Sequence, residues 1–283
     1  MGFAVAGGGL LAVVAGGILL ARALAGRPRG RSVLWRLALG GLGLALTVGA
    51  GLGLWVGAHD PRVRWFGPVD VHGPRRGHEV ALTFDDGPDP RWTARVAAIL
   101  DGHGADGVDG TFFLVGEALD RWPDVARGLD AGGHLLANHS YHHDSWRWLD
   151  PRYPELERTQ QAFRRRLGRC PALFRPPHGQ RTPFVLDRAD DAGLRTVTWD
   201  VSAEDWSDRD GARVARRILD GVRPGSIVLL HDGIDGRGDA SVDRDVLLEA
   251  LPLILDGLDQ RGLTPVRLDE LLGTPGYLDV DRC

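Results

Sequence analysis

The chain has 283 residues, of which 43% are hydrophobic, so it can form one large domain or two small ones with a sizeable core. Its charge is uneven: five of the 34 basic residues and none of the 38 acidic residues lie in the first 58 positions, which leaves the remaining chain with a formal charge of −9. Nucleic-acid binding requires a basic face, so we expect no nucleic-acid partner.

The N-terminal region contains two apolar runs, residues 3–21 and 37–58, each long enough to cross a hydrocarbon core of roughly 30 Å. All five arginines lie between or just inside these runs, so the positive-inside rule places the connecting loop in the cytoplasm. The sequence therefore predicts two transmembrane helices in residues 1–58 of a cell-membrane protein, with an extracytoplasmic main domain. In the alternative, residues 27–58 are a signal region cleaved after Gly57-Ala58, and the protein is secreted.

The rest of the chain is predicted to fall into three parts. Residues 59–77 are rich in proline, glycine, arginine and histidine and are expected to be a linker near the membrane. Residues 78–275 form the main domain, and residues 276–283 are a C-terminal tail. Outside the cytoplasm, Cys170 and Cys283 could form a disulfide, although two unpaired thiols explain the sequence equally well.

From residue 78 onward, short apolar runs alternate with amphipathic stretches, which is typical of parallel strands covered by helices. Seven such units predict an α/β fold, a (β/α) barrel with about seven parallel strands. The predicted strands are 79–84, 110–115, 134–138, 172–174, 195–201, 226–230 and 264–267. The predicted helices are 91–103, 117–131, 154–167, 182–192, 210–221 and 243–261. In such barrels the chemistry lies at the C-terminal ends of the strands.

The first predicted strand ends in two adjacent carboxylates, Asp85 and Asp86, and Gly87-Pro88 then stops it. Two acids at the end of a buried strand are costly unless a metal, a cation or hydrogen bonds compensate them. The pair therefore indicates a functional site. A turn whose aspartates cap the next helix is the alternative.

Two histidines, His139 and His143, follow the third predicted strand at a spacing of four. On one helical turn or a tight loop, both imidazoles can meet one ion. With a strand-end aspartate they would form a set of two histidines and a carboxylate, which leaves coordination positions open as catalytic zinc requires and also suits other divalent metals. Surface histidines in a polar loop are the alternative.

Three further predicted strands are followed by residues suited to a site. Two prolines after Arg175 stiffen the chain, and a rigid arginine near paired carboxylates can hold one of them ionised. Trp206 follows the fifth strand and suits a wall on which a sugar ring stacks, whereas Trp199 fits a core position better. His231 ends the sixth strand. A solvated arginine in an ordinary proline-rich turn and a histidine without a catalytic role are the alternatives.

Taken together, these stretches resemble the polysaccharide deacetylase family, carbohydrate esterase family 4 with its NodB-like homology domain. That family shows the motifs TFDDGP, HSxxH, RPPxG, a segment ending in DW, and a late LHD, and all five occur here in that order between residues 83 and 232. The resemblance does not extend to the first 77 residues. It implies a distorted (β/α) barrel of about seven strands and metal-dependent removal of N-acetyl groups from an amino-sugar polymer.

The resemblance also implies individual roles. Zinc, or another divalent metal such as cobalt, would be held by Asp86, His139 and His143. Asp85 would be the general base oriented by Arg175, and His231 the general acid supported by Asp205. The substrate pocket would be formed by Trp206, Leu230, Pro176 and His178. Two residues depart from the family pattern. His178 stands where many relatives have an aromatic or amide side chain, and Ser202 stands where an acid is common. These departures leave the substrate preference open.

The resemblance leaves several substrates open. Peptidoglycan N-acetylglucosamine is expected first, because a membrane anchor would keep the site near the cell wall. Chitin-like oligomers come second, and an esterase acting on O-acetylated xylan or another glycan comes third. In a hypothesis of a different class, the protein is a catalytically silent glycan-binding protein that has kept the fold.

Overall fold

The structure is a computed structural model that describes residues 13–22, 32–238 and 244–283. Its helices are α1 (Val13–Arg22), α2 (Ser32–His59), α3 (Thr93–Asp101), α4 (Gly116–Arg121), α5 (Pro123–Ala131), α6 (Glu155–Leu167), α7 (Pro183–Asp191), α8 (Gly211–Gly221), α9 (Asp245–Asp259) and α10 (Leu268–Leu272). Its strands are β1 (Glu79–Asp85), β2 (Thr111–Leu114), β3 (Leu135–Asn138), β4 (Leu173–Phe174), β5 (Arg195–Thr196), β6 (Val201–Ser202), β7 (Ile227–His231) and β8 (Thr264–Pro265).

Seven strands form one curled parallel sheet in the order β5-β4-β3-β2-β1-β7-β6, and β8 pairs with the start of β1. This is the α/β half-barrel that the sequence predicts in outline. Successive side chains of a strand point to opposite faces, so each strand contributes side chains to the hydrophobic clusters on both faces of the sheet. Leu82 and Phe84 lie in the cluster shared with the helices, whereas Ala81 belongs to the cluster on the other face of the sheet.

The prediction of one strand at 195–201 is wrong, because these residues form two short strands at opposite edges of the sheet. β5 pairs with β4, and β6 pairs with β7. One continuous strand cannot pair with both edges of an open sheet, so residues 197–200 cross the gap between them. The backbone is held there by a bond from the Thr198 N–H to the Asp70 carbonyl.

Residues 59–77, expected to be a linker, lie along this gap and are bound to the half-barrel. Val69 and Val71 are buried, and Asp70 forms a parallel bridge with Val197. The guanidinium of the buried Arg181 donates to the carbonyl oxygens of this segment, among them that of Asp60. The segment is therefore part of the folded unit and not a free tether.

Two other expectations are refined by the structure. The helix predicted over 117–131 is two helices, because Pro123 lacks the N–H that a continuous helix would use and begins α5 instead. The pairing of the two cysteines, left open by the sequence, is a disulfide with a Cα–Cα distance of 5.8 Å between Cys170 and Cys283. The tail is thereby tied to the residues that precede β4.

Only one helix in the described part of the chain, Val33–His59, is long and apolar enough to cross a membrane by its length and composition. Two spans are therefore not confirmed, since α1 covers only Val13–Arg22 and residues 3–12 of the first predicted span lie outside the described ranges. The two helices approach closely at Gly16 and Gly43, where a Cβ on either glycine would come within 2.5 Å of the carbonyl oxygen of the other. Small residues permit such contacts between helix backbones.

Candidate active site

The two adjacent carboxylates lie where β1 ends, and both are buried. Asp86 adopts a φ of 76°, a left-handed conformation that aspartate tolerates better than most residues. The turn that follows passes close to the end of β7, because a Cβ on Gly87 would collide with the Asp232 carboxylate. The local backbone thus directs Asp85 and Asp86 differently although they are neighbours in sequence.

The histidine loop after β3 is folded by its own polar side chains. Asn138 Oδ1 accepts a hydrogen bond from the Ser140 N–H, and Ser140 Oγ accepts one from the His143 N–H. Ser140 and His143 both have positive φ, at 66° and 54°. This tight loop brings His139 and His143 to one side, with ring centroids 4.9 Å apart.

Both imidazoles present Nε2 to the same carboxylate oxygen. Asp86 Oδ1 lies 3.4 Å from His139 Nε2 and 3.1 Å from His143 Nε2. His139 Nδ1 lies 2.8 Å from the Arg175 carbonyl oxygen, which can only accept. His139 therefore donates from Nδ1 and keeps the lone pair of Nε2 for the site.

The trio fits a divalent metal. One ligand atom from each of Asp86, His139 and His143 lies within 4.8 Å of the others. Asp86 Oδ1 is buried without a hydrogen-bond partner among the described residues, which is costly unless a cation satisfies it. Burial opposes ionisation of Asp86, but the charge of His143 and the proximity of His139 and His231 outweigh it and hold the pKa of Asp86 well below its usual value.

Arg175 is fully buried beside the other carboxylate. Its Nη1 donates to Asp85 Oδ1 at 2.6 Å and to Thr83 Oγ1 at 2.9 Å, and its Nη2 donates to the Thr198 carbonyl at 3.1 Å. The guanidinium also lies over the Phe113 ring at 4.0 Å. Burial lowers the pKa of Arg175 and the Asp85 charge raises it, with a net lowering. Arg175 and Asp85 therefore form a buried ion pair, and the bond from Arg175 fixes the position of Asp85 Oδ1.

His231 ends β7 and is paired with a buried carboxylate from the loop after β6. Asp205 Oδ1 lies 2.8 Å from His231 Nδ1, and Asp205 Oδ2 accepts from the His231 backbone N–H at 2.9 Å. Burial alone would lower the pKa of His231, but the charge and hydrogen bond of Asp205 dominate, helped by the charges of Asp86 and Asp85, and raise it to about 9. His231 is therefore protonated at neutral pH.

These groups share a cavity of about 750 Å³ at the C-terminal edge of the sheet. Its lining includes the two aspartates, both loop histidines, His231 and the predicted wall residues Trp206 and His178. The indole of Trp206 is 61% exposed, as a stacking surface for a ligand must be. Trp199, expected in the core, is half-buried, and it both packs on the inner cluster and lines the cavity.

The two remaining predictions of pocket residues do not match the cavity. Leu230 is buried in the cluster between the sheet and the helices, and Leu229 lines the cavity in its place. Alternation along β7 explains the difference, because His231 and Leu229 point to the same face and Leu230 to the opposite one. Pro176 is buried and is not among the lining residues.

Sequence reasoning missed two acidic residues near the site. Asp235 lies in the turn after β7, with Oδ1 2.9 Å from His143 Nδ1. Asp232 is buried and accepts a hydrogen bond from Thr93 Oγ1; its burial, together with the charges of Asp86 and Asp85, raises its pKa to about 7. The LHD motif marks Asp232, but no spacing rule marks Asp235.

Comparison with known proteins identifies the family. A model of the polysaccharide deacetylase family matches residues 72–197. A chitooligosaccharide deacetylase of Bradyrhizobium sp. is 35% identical over 200 residues, covering 68% of this chain and 89% of the relative. The chain belongs to the polysaccharide deacetylase family. The resemblance drawn from its five motifs is thereby confirmed.

Two further relatives extend the similarity over the same region. A peptidoglycan-N-acetylglucosamine deacetylase of Bacillus cereus is 31% identical over 204 residues, which is 71% of either chain. The crystal structure of the Bc1960 peptidoglycan N-acetylglucosamine deacetylase superposes with a TM-score of 0.66 and 28% identity, covering 74% of this chain and 95% of that one. The half-barrel is thus the fold of carbohydrate esterase family 4.

Proposed function

We propose that this polysaccharide deacetylase is a metal-dependent hydrolase that removes N-acetyl groups from an amino-sugar polymer. The observation that carries the proposal is the convergence of the Asp86, His139 and His143 ligand atoms beside Asp85 and His231 in one cavity. Peptidoglycan N-acetylglucosamine is the first substrate, in line with the Bacillus cereus relative. Chitooligosaccharides, the substrate class in the name of the Bradyrhizobium relative, are the alternative, and O-acetylated glycans come third.

Asp86, His139 and His143 would hold the metal, for which zinc is our choice and cobalt the substitute. When bound, such a cation acts as a Lewis acid on the acetyl carbonyl and lowers the pKa of water. The ligand set of two imidazoles and one carboxylate matches that use, because it leaves coordination positions open.

Asp85 is the proposed general base. The bond from Arg175 fixes Asp85 Oδ1, and Asp85 Oδ2 lies 3.5 Å from His139 Nε2, so the second oxygen faces the metal ligands. From there it can take the proton of the attacking water. Arg175 contributes by orienting this carboxylate and compensating its charge.

His231 is the proposed general acid. Its Nδ1 is held by Asp205, which leaves Nε2 to donate a proton to the amine nitrogen as the amide bond breaks. The products are acetate and a free amino sugar. Trp206 would stack on a sugar ring at the wall of the cavity, which His178 also lines.

Substitution of Asp205 by asparagine should move the alkaline limb of the kcat–pH profile to lower pH. His231 acts while protonated, so activity falls as pH rises through its pKa. The Asp205 charge raises that pKa, so its removal should bring the loss of activity to lower pH by at least about one unit. The check is acetate release at saturating substrate from pH 6 to 10. An unshifted alkaline limb would remove Asp205 from this role.

We further propose that α2 anchors the protein in the cell membrane with the half-barrel outside the cytoplasm. The length and composition of Val33–His59 support an anchor, and the disulfide suits an oxidising compartment. A secreted form cleaved after Ala58 is the alternative. A reporter enzyme that works only outside the cytoplasm should be active when fused after Cys283. Activity of a reporter that works only in the cytoplasm would reject this topology.

The test of the function is acetate release by the full-length chain purified in detergent. Peptidoglycan, chitooligosaccharides and acetylxylan would each be offered to the chelator-treated protein before and after zinc is restored. We expect release from peptidoglycan only with metal. Release from acetylxylan alone would show that the protein is an O-acetyl esterase and not an N-deacetylase. No release from any polymer by the zinc-loaded protein would favour a silent glycan-binding protein.

A further inference from the structure

A carboxylate outside the five motifs contacts one of the candidate metal ligands. Asp235 Oδ1 lies 2.9 Å from His143 Nδ1, the ring nitrogen that points away from Asp86. The other Asp235 oxygen lies 3.2 Å from an Arg237 Nη2. The His143 side chain is buried, and that of Asp235 is partly exposed at the cavity wall.

The two candidate histidine ligands are therefore held in different ways. The Nδ1 of His139 faces a backbone carbonyl, that of Arg175, whose position is set by the sheet. The Nδ1 of His143 instead lies 2.9 Å from a side-chain oxygen, that of Asp235, which is an ion-pair distance without the geometry of a hydrogen bond in the described residues. Groups that accept from the second nitrogen of a ligating histidine fix its tautomer and ring orientation and raise its basicity.

The turn that carries Asp235 is fixed by packing. A Cβ on Gly233 would collide with the Asp86 carbonyl, and one on Gly236, which has a φ of 65°, would meet the Val115 side chain. Arg244 is buried and donates twice to the Gly233 carbonyl, at 3.1 and 3.0 Å. The Asp235 carboxylate is thus placed against His143 by a turn pinned at both sides.

We infer that Asp235 is a positioning residue that locks His143 with its Nδ1–H toward Asp235 and its Nε2 lone pair toward the metal. This inference rests on the proposed metal site. Asp235 acts through His143 and is not itself a ligand, because it meets the ring at Nδ1, on the opposite side from the Nε2 that faces Asp86. Its role would be confined to the affinity and geometry of the metal.

The experiment measures metal affinity in the full-length protein with the variants Asp235→Ala and Asp235→Asn. Zinc affinity comes from competition with a chromophoric chelator, and the visible spectrum of the cobalt-loaded protein reports ligand geometry. We expect Asp235→Ala to weaken zinc binding by about 10- to 100-fold and to alter the cobalt spectrum. Asp235→Asn should recover part of the affinity, because the amide oxygen can still accept from Nδ1–H.

Arg237→Gln is the matched control, because it removes the other partner of Asp235 and leaves the contact with His143; its zinc affinity should stay within about threefold. Unchanged affinity and cobalt spectrum in Asp235→Ala, with wild-type protein that binds zinc and releases acetate, would overturn this inference alone. Wild-type protein that binds no zinc would overturn the proposed function and this inference with it. Equal losses in Asp235→Ala and Arg237→Gln would also overturn it, since the effect would then belong to the turn as a whole.

Discussion

Replacement of Asp85 by asparagine is expected to lower kcat by about 10²- to 10⁴-fold while the protein still binds its metal, because a general base contributes a factor of that size. Asparagine has the same shape, and its amide oxygen can still accept the bond from Arg175, but it cannot take a proton from water. Asp85 is not among the three converging ligand residues. The check is acetate release at saturating substrate together with the zinc content of the purified variant.

The neighbouring carboxylate provides the matched control. Asp86→Asn removes the negative charge from the trio, so it should reduce zinc affinity and lose activity for that reason. The two substitutions alter adjacent residues by the same chemical change, yet only one should release metal. Full turnover by Asp85→Asn would remove Asp85 from the role of base, and loss of metal from that variant would assign it to the ligands instead.

The sequence predicts the sheet and the groups at its edge because both depend on local pattern. Apolar runs that end in polar residues mark buried parallel strands and their C-terminal ends. β1 ends at Asp85 and β7 at His231, while His139 follows directly after β3 and Arg175 directly after β4. The curl of a parallel sheet brings such ends together. The candidate ligands and catalytic groups could therefore be named without coordinates.

The closure of the half-barrel could not be predicted in this way. The run over residues 195–201 is rich in β-branched and aromatic residues, so it indicates one strand, whereas the structure divides it between β5 and β6. That division depends on the opposite edges of the sheet, which are set by β4 and β7. The role of residues 59–77 along the gap depends on the same tertiary arrangement and has no local signal.

The pocket wall shows a different kind of error, in which the available signal was misapplied. Alternation along β7 places Leu229 on the face of His231, so a period of two would have chosen Leu229 over Leu230. For Asp235 no such signal exists. It meets His143 across 92 positions of sequence, from a glycine-rich turn that itself predicts only a loop.

Substitution of Arg175 by methionine is expected to destabilise the fold by about 3–5 kcal/mol, since removing one partner of a buried ion pair leaves the other charge uncompensated. Arg175 and Asp85 are both buried, and the arginine also joins β1 to the chain after β5 through Thr83 and Thr198. Activity should fall as well, because the base loses its orienting partner. Urea denaturation of chelator-treated protein measures the loss without a contribution from metal binding.

A double-mutant cycle separates the charge from the packing in this prediction. Arg175→Met combined with Asp85→Asn removes both charges, so the double variant should be more stable than Arg175→Met alone, although still less stable than the wild type because the bonds to Thr83 and Thr198 are gone. If the two single losses simply add, the Asp85–Arg175 pair contributes no coupling and Arg175 acts by filling space and donating to neutral oxygens. In that case the orientation of Asp85 would have to come from the β1 backbone, and the activity of Arg175→Met, measured below its unfolding transition, should be close to normal.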